Sequence, residues 1–137
     1  NIGIATDTPA GLMVPVIKGA DVKNIWELAM EIMLLSEKAR SGKIAAGDLK
    51  GGTFTITNAG SIGGVLATPI INYPEVAILG VNAVRKRPII RDDQIVAADM
   101  MFLSLSVDHR VVDGAMAARF MNRLVYFLSE PARLVFT

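Results

Sequence analysis

Hydrophobic and polar positions follow two rhythms along this chain. Ile2 to Ala5 is a short apolar run, Thr6 to Gly11 is dense in turn formers, and Leu12 to Ile17 is apolar again with Pro15 in its middle. This predicts a β-hairpin whose second strand lies at an edge or carries a bulge, because proline cannot donate to a central ladder. From Ile25 the period lengthens. Ile25, Leu28, Ala29, Ile32, Leu35 and Ala39 recur at helical spacing, with Glu27 and Glu31 early and Lys38 and Arg40 late, as the helix dipole favours. Asp21 or Asn24 caps its start and Gly42 its end. Trp26, Met30 and Met33 widen the apolar face, which suggests packing on two sides. By their spacing they read as core rather than as ligand-binding residues.

Ala45 to Leu49 reads as one helical turn, and Gly51-Gly52 as a tight turn. Thr53 to Thr57 alternates strictly and reads as a strand, with three threonines on one face and Phe54 and Ile56 on the other. Polar-out alternation is enough to explain Thr53 and Thr55. Thr57 differs in ending the strand just before the glycine-rich loop Asn58 to Gly64. Val65 to Pro74 is apolar but irregular. Val76 to Val81 reads as a central strand, Val84 to Arg91 and Gln94 to Ala97 as a hairpin turning at Arg91-Asp92-Asp93, and Met100 to Val107 as a strand. Ala115 to Ser129 has a helical stripe of Ala117, Phe120, Met121, Leu124 and Leu128, and Pro131 suits the start of a last short helix. The prediction is an α+β domain with a mixed β-sheet covered on one face by helices.

Composition narrows the classes of function. Of the 137 residues, 52% are hydrophobic and 20% charged, so either the core is dense or part of the surface is covered by a partner. The net charge is +1 with both signs interspersed, and no basic stripe marks a nucleic-acid surface. No apolar run approaches the roughly 18 residues of a membrane-spanning helix. Cysteine is absent, which excludes disulfides, thiolate metal sites and a cysteine nucleophile, and fits an intracellular protein. With a single histidine, a multi-histidine metal site is excluded within one chain, and no metal is expected. The glycine-rich loop has neither the P-loop nor the dinucleotide pattern, and Ser61 lacks the nucleophile elbow of the α/β-hydrolases.

The remaining chemistry gathers at Asp108-His109-Arg110-Val111-Val112-Asp113-Gly114, a junction between predicted strand and predicted helix that holds the only histidine. A lone imidazole is either a satisfied core histidine or a general base. Asp108, Arg110 and Asp113 favour the second reading, since three charges beside an apolar strand need a pairing network to be tolerated. A base with no protein nucleophile limits an enzyme to direct transfer, in which the substrate brings the attacking group. A hydroxyl such as that of Thr57 could then donate to an oxyanion.

The heptapeptide resembles the D-H-R-x-x-D-G signature of the dihydrolipoamide acyltransferases, the E2 components of 2-oxo acid dehydrogenase complexes. Asn1 to Ala5, Gly11-Leu12, Val14 to Val16, Gly52 to Gly60 and Pro69 to Leu79 are similar to further segments of that family, in the same order. Chloramphenicol acetyltransferase shares the fold, but Asp108 before His109 favours the E2 branch. The resemblance implies a CoA-dependent acyltransferase fold and acyl transfer between S-acyl-dihydrolipoamide and coenzyme A. His109 would be the base, Thr57 the oxyanion donor, and Asp113 the residue that holds the loop. Ser61, Thr68 and Pro69 would line the coenzyme A arm.

The resemblance further implies that residues 1–137 are the C-terminal portion of a single catalytic domain. The early helices, the lipoyl domain that carries the lipoyl group and the subunit-binding domain would lie outside it. The implied partners are two further copies in a homotrimer that builds a 24-mer or 60-mer core, the lipoyl domain, and the E1 and E3 components. The implied location is cytoplasmic, or the mitochondrial matrix in a eukaryote. A different class of function is a non-catalytic core scaffold or assembly fragment.

Overall fold

The structure, a computed structural model, describes residues 1–134. The first apolar runs form the expected hairpin, but in two pieces. β1 (Ile2–Ile4) pairs antiparallel with β4 (Val16–Ile17), and β2 (Thr6–Thr8) with β3 (Gly11–Met13). Thr6 to Thr8 are therefore strand rather than turn. The turn itself is Pro9-Ala10, closed by the Thr8 hydroxyl, which donates to the Gly11 carbonyl at 2.7 Å. The hairpin breaks at Pro15. This buried residue accepts from the Ile4 amide at 2.8 Å but has no N–H to return, and β4 finishes at the sheet edge as expected.

Helix α1 (Ile25–Arg40) starts at Asn24, not Asp21. The Asn24 side chain accepts from the Glu27 amide at 3.0 Å and the Glu27 carboxylate accepts from the Asn24 amide at 2.9 Å, a reciprocal capping box. Asp21 lies in a separate 3-10 turn, Ala20–Val22. Gly42, with φ 69°, ends the helix. Its amide donates to the Ala39 carbonyl, and the Lys43 amide donates to that of Lys38. The helix meets β2 and β4 along a narrow stripe and buries only Leu35, Ser36 and Ala39. Trp26 is 81% exposed, and Met30 and Met33 are also exposed. The core reading of these three is thus corrected, and no second packing side of α1 is covered by the described residues. The helix lies against the sheet margin, where one apolar stripe suffices.

The main sheet has the order β4-β1-β5-β6-β9, with β5 (Phe54–Asn58), β6 (Ala77–Val81) and β9 (Leu103–Val107). It is mixed: β1, β5 and β6 run parallel, while β9 and β4 run against their neighbours. β7 (Arg85–Arg91) and β8 (Gln94–Met100) form the expected hairpin as a separate ribbon, turning at Asp92 and Asp93, both with positive φ. Met100 therefore belongs to β8, and the strand expected from it begins only at Leu103. The Asn82 side chain takes the Phe102 carbonyl at 2.9 Å at this break.

Register defines two faces of the sheet. Phe54, Ile56, Leu79, Leu105 and Val107 share one, under helix α2 (Gly114–Ser129), with the Phe54 and Phe120 rings 5.8 Å apart. Thr55, Thr57, Gly80, Ser104 and Ser106 share the other. Thr55 is fully buried, so polar-out alternation does not explain it. Val14 and the irregular strap at Pro69 to Asn72 lie over this face.

Candidate active site

The His109 loop is built on the end of β9. The Asp108 amide donates to the Val76 carbonyl at 2.8 Å, and the Asp108 carbonyl accepts from the Val111 and Val112 amides. This locks a tight turn onto the sheet. The Asp108 carboxylate grips Arg110 in a fork, with Nε–Oδ1 2.9 Å and the second guanidinium nitrogen 2.6 Å from Oδ2, and also accepts from the Arg110 amide at 3.0 Å. Those bonds hold the Asp108 pKa down to about 2 and raise that of Arg110. Asp113 stays out of that pair. It caps α2, its Oδ1 accepting from the Met116 amide at 2.7 Å. The expected network therefore divides into an ion pair before the turn and a helix cap after it.

His109 itself is exposed, and its imidazole has no hydrogen-bond partner among the described residues. A satisfied core histidine does not look like this. The loop is fixed from both sides by Asp108 and Asp113, while the ring it presents is left free.

Thr57 sits near the far end of β5, half-buried, with its hydroxyl unpaired among the described residues. It opens into a cleft of about 390 Å³ with Thr55 and Ile78 in the sheet, and Leu12, Pro69 and Ile70 on the covering side. Leu12 and Ile70 are largely exposed, so the rim is apolar. Pro69 belongs to this cleft. Thr68 is exposed beside it, and Ser61 is exposed in the 3-10 turn Gly60–Ile62, where its hydroxyl donates to the Asn58 carbonyl at 3.3 Å. Pro69 is thus brought to Thr57, whereas Ser61 and Thr68 do not line the cleft.

Thr57 and His109 do not meet within the chain. Thr57 is level with Gly80 and Ser104, whereas Val107 is level with Ala77. Strand rise and spacing put roughly 14 Å between Thr57 and Val107, and His109 lies two residues beyond Val107 on a loop at the opposite end of the strands. Sequence reasoning missed Leu12 and Ile70 on the cleft rim, and also Ser106, whose hydroxyl donates to the Pro69 carbonyl at 2.6 Å. The alternation Leu103-Ser104-Leu105-Ser106 was the one available signal, since it places two serines on the face opposite α2.

The candidate site thus has two parts: an exposed imidazole without a hydrogen-bond partner among the described residues, and a threonine hydroxyl in an apolar cleft at the other end of the strands. Residues 1–136 match the family of 2-oxoacid dehydrogenases acyltransferase (catalytic domain), and the chain belongs to that family. It is 52% identical over 131 residues to the dihydrolipoyllysine-residue acetyltransferase component of the pyruvate dehydrogenase complex of Bacillus subtilis, covering 96% of this chain and 30% of the relative. The corresponding Staphylococcus aureus component is 51% identical over 135 residues. The chain spans about a third of the length of these curated relatives.

Among solved structures, the dihydrolipoamide acetyltransferase of Azotobacter vinelandii superposes with TM-score 0.94 at 48% identity, over 98% of this chain and 55% of that one. A truncated catalytic core of the 2-oxoacid dehydrogenase multienzyme complex from Thermoplasma acidophilum gives TM-score 0.83 at 48% identity, over 95% of this chain and 57% of its own. The Azotobacter study concerns a serine, a histidine and an asparagine in the catalytic mechanism, with the serine 52 positions before the histidine and the asparagine four after. Thr57 and Asp113 stand at those same intervals from His109.

Proposed function

We propose that this chain is the C-terminal portion of a catalytic domain that moves an acyl group between S-acyl-dihydrolipoamide and coenzyme A. His109 takes the proton from the attacking thiol as its sulfur adds to the acyl carbon. The Thr57 hydroxyl donates to the oxyanion that forms. Collapse breaks the bond to the departing sulfur, which recovers the proton from His109. No covalent enzyme intermediate is needed, in keeping with a chain without cysteine. The apolar cleft beside Thr57 suits the aliphatic arm of either thiol. Pro69 lies on that arm's path, with Ser61 and Thr68 further out toward coenzyme A. Asp113 holds the loop by capping α2. The asparagine at the same interval in the Azotobacter enzyme supports this role, because asparagine caps a helix as well as aspartate does but cannot accept the proton.

The observation that carries the proposal is the separation of two unpaired groups across one sheet. His109 and Thr57 lie at opposite ends of the strands, which supports a working site that takes His109 from one copy and Thr57 from the next. This supports a homotrimer whose copies build a 24-mer or 60-mer core, served by the lipoyl domain and the E1 and E3 components. A relative at TM-score 0.94 forms the cubic core of the pyruvate dehydrogenase multienzyme complex. The proposed setting is the cytoplasm. The test is thioester exchange between acyl-CoA and dihydrolipoamide, run with the full-length protein. Absence of turnover, or turnover undiminished in His109→Ala, overturns the proposal.

A further inference from the structure

The strap that covers the Thr57 cleft is held by polar contacts at both ends. At one end the Ser106 hydroxyl donates to the Pro69 carbonyl at 2.6 Å. At the other the Asn72 side chain donates to the Glu75 carboxylate at 3.2 Å, and the Glu75 amide donates back to the Asn72 carbonyl at 2.9 Å. Between them Ile70 and Tyr73 stand 90% and 91% exposed, while Pro69 and Ile71 are half-buried, so apolar packing holds the segment on its inner side alone. Gly80 makes the first contact close. A Cβ there would lie 3.1 Å from the Ser104 hydroxyl and 3.4 Å from the Pro69 ring, so the strap rests directly on the strand floor. Ser106 is in β9, three residues before His109, and faces away from α2, over the row of Ile78 and Thr55.

We infer that Ser106 is a positioning residue: its hydroxyl clasps the strap to β9 and so sets the width of the cleft in which Thr57 meets the thiol substrates. The inference rests on the acyltransferase reading above. A hydroxyl is called for because the carbonyl it satisfies has no other partner among the described residues. The clasp acts on substrate affinity. It contacts neither His109 nor the Thr57 hydroxyl, so the transfer step itself is spared.

The test compares Ser106→Ala and Ser106→Thr in the full-length protein by two measurements. The first is the NMR order parameter of the methyl groups of Ile71, the half-buried isoleucine of the strap. The second is KM and kcat for coenzyme A and dihydrolipoamide. In Ser106→Ala the Ile71 order parameter is expected to fall and both KM values to rise by about three- to tenfold, the size one hydrogen bond commands, with kcat nearly unchanged. Ser106→Thr is expected to restore both. An unchanged order parameter, a lower order parameter with unchanged KM, or equal loosening in the alanine and threonine variants would each overturn the clasp. Wild-type protein that fails to exchange thioesters removes the underlying reading and the clasp's function with it. Wild-type turnover with unchanged KM in Ser106→Ala removes the clasp alone.

Discussion

His109 and Thr57 carry different parts of the proposed chemistry, and their variants should fail differently. His109→Ala is expected to lower kcat by about 10²–10⁴-fold, with a flattened pH–rate profile, because a general base is removed. Thr57→Ala should cost about 10²–10³-fold, and Thr57→Ser should retain most activity, because only the hydroxyl donor is needed. Steady-state thioester exchange reads both. The Asp108–Arg110 pair makes a prediction of its own. With its pKa held to about 2, the Asp108 carboxylate lends the loop stability that is fully present above its ordinary value near 3.8. That contribution fades as the pH falls from there through about 2. Arg110→Gln should return the Asp108 midpoint toward the ordinary value, as followed by carbon NMR of the side-chain carboxyl. An unmoved midpoint would show that the fork is not the cause.

At the scale of elements, helix α2 begins where the His109 loop ends, so one residue serves both. Asp113 takes the Met116 amide that the first turn would leave orphaned. Asp113→Ala is expected to destabilise the fold by ~1 kcal/mol, whereas Asp113→Asn should be neutral within a few tenths. Urea denaturation measures both. If asparagine proved as costly as alanine, the cap would not be the residue's role. The helices were the most legible elements in the sequence. Stripe and terminal glycine agreed for α1 and its end followed, whereas its start stood open between Asp21 and Asn24 until the capping box at Asn24 decided it. The short strands were less legible, because pairing across the sheet rather than local pattern sets their ends. Met100 went to the β7–β8 ribbon and Thr6 to Thr8 to a strand for this reason.

For the whole molecule, the proposed site depends on assembly. If His109 and Thr57 act across neighbouring copies, two inactive variants should complement each other. His109→Ala and Thr57→Ala, co-expressed in equal amounts, are expected to recover about a quarter of wild-type activity, since one interface in four pairs an intact histidine with an intact threonine in a cyclic assembly. Separately purified and unmixed, both should stay inactive. Recovery at background level would place the two groups in one chain. The many exposed apolar side chains, from Trp26 on α1 to Ile70 on the strap, belong to this scale too. Their spacing marked them as apolar but not as covered, because burial depends on which surface meets which.

The sequence by itself determined the class of fold and the chemical candidates. Hydrophobic period names helices and strands, missing cysteine removes a nucleophile, and the strand-to-helix junction singles out His109. Only the tertiary structure decided that the imidazole has no partner among the described residues, that Thr55 is buried while Thr57 opens into a cleft, that Ser106 bonds the strap, and that His109 and Thr57 lie at opposite ends of the strands. The physical reason is that these are properties of long-range register. Which strand end lies beside which is set by parallel β5–β6 pairing and antiparallel β6–β9 pairing. No local pattern of side chains encodes that order.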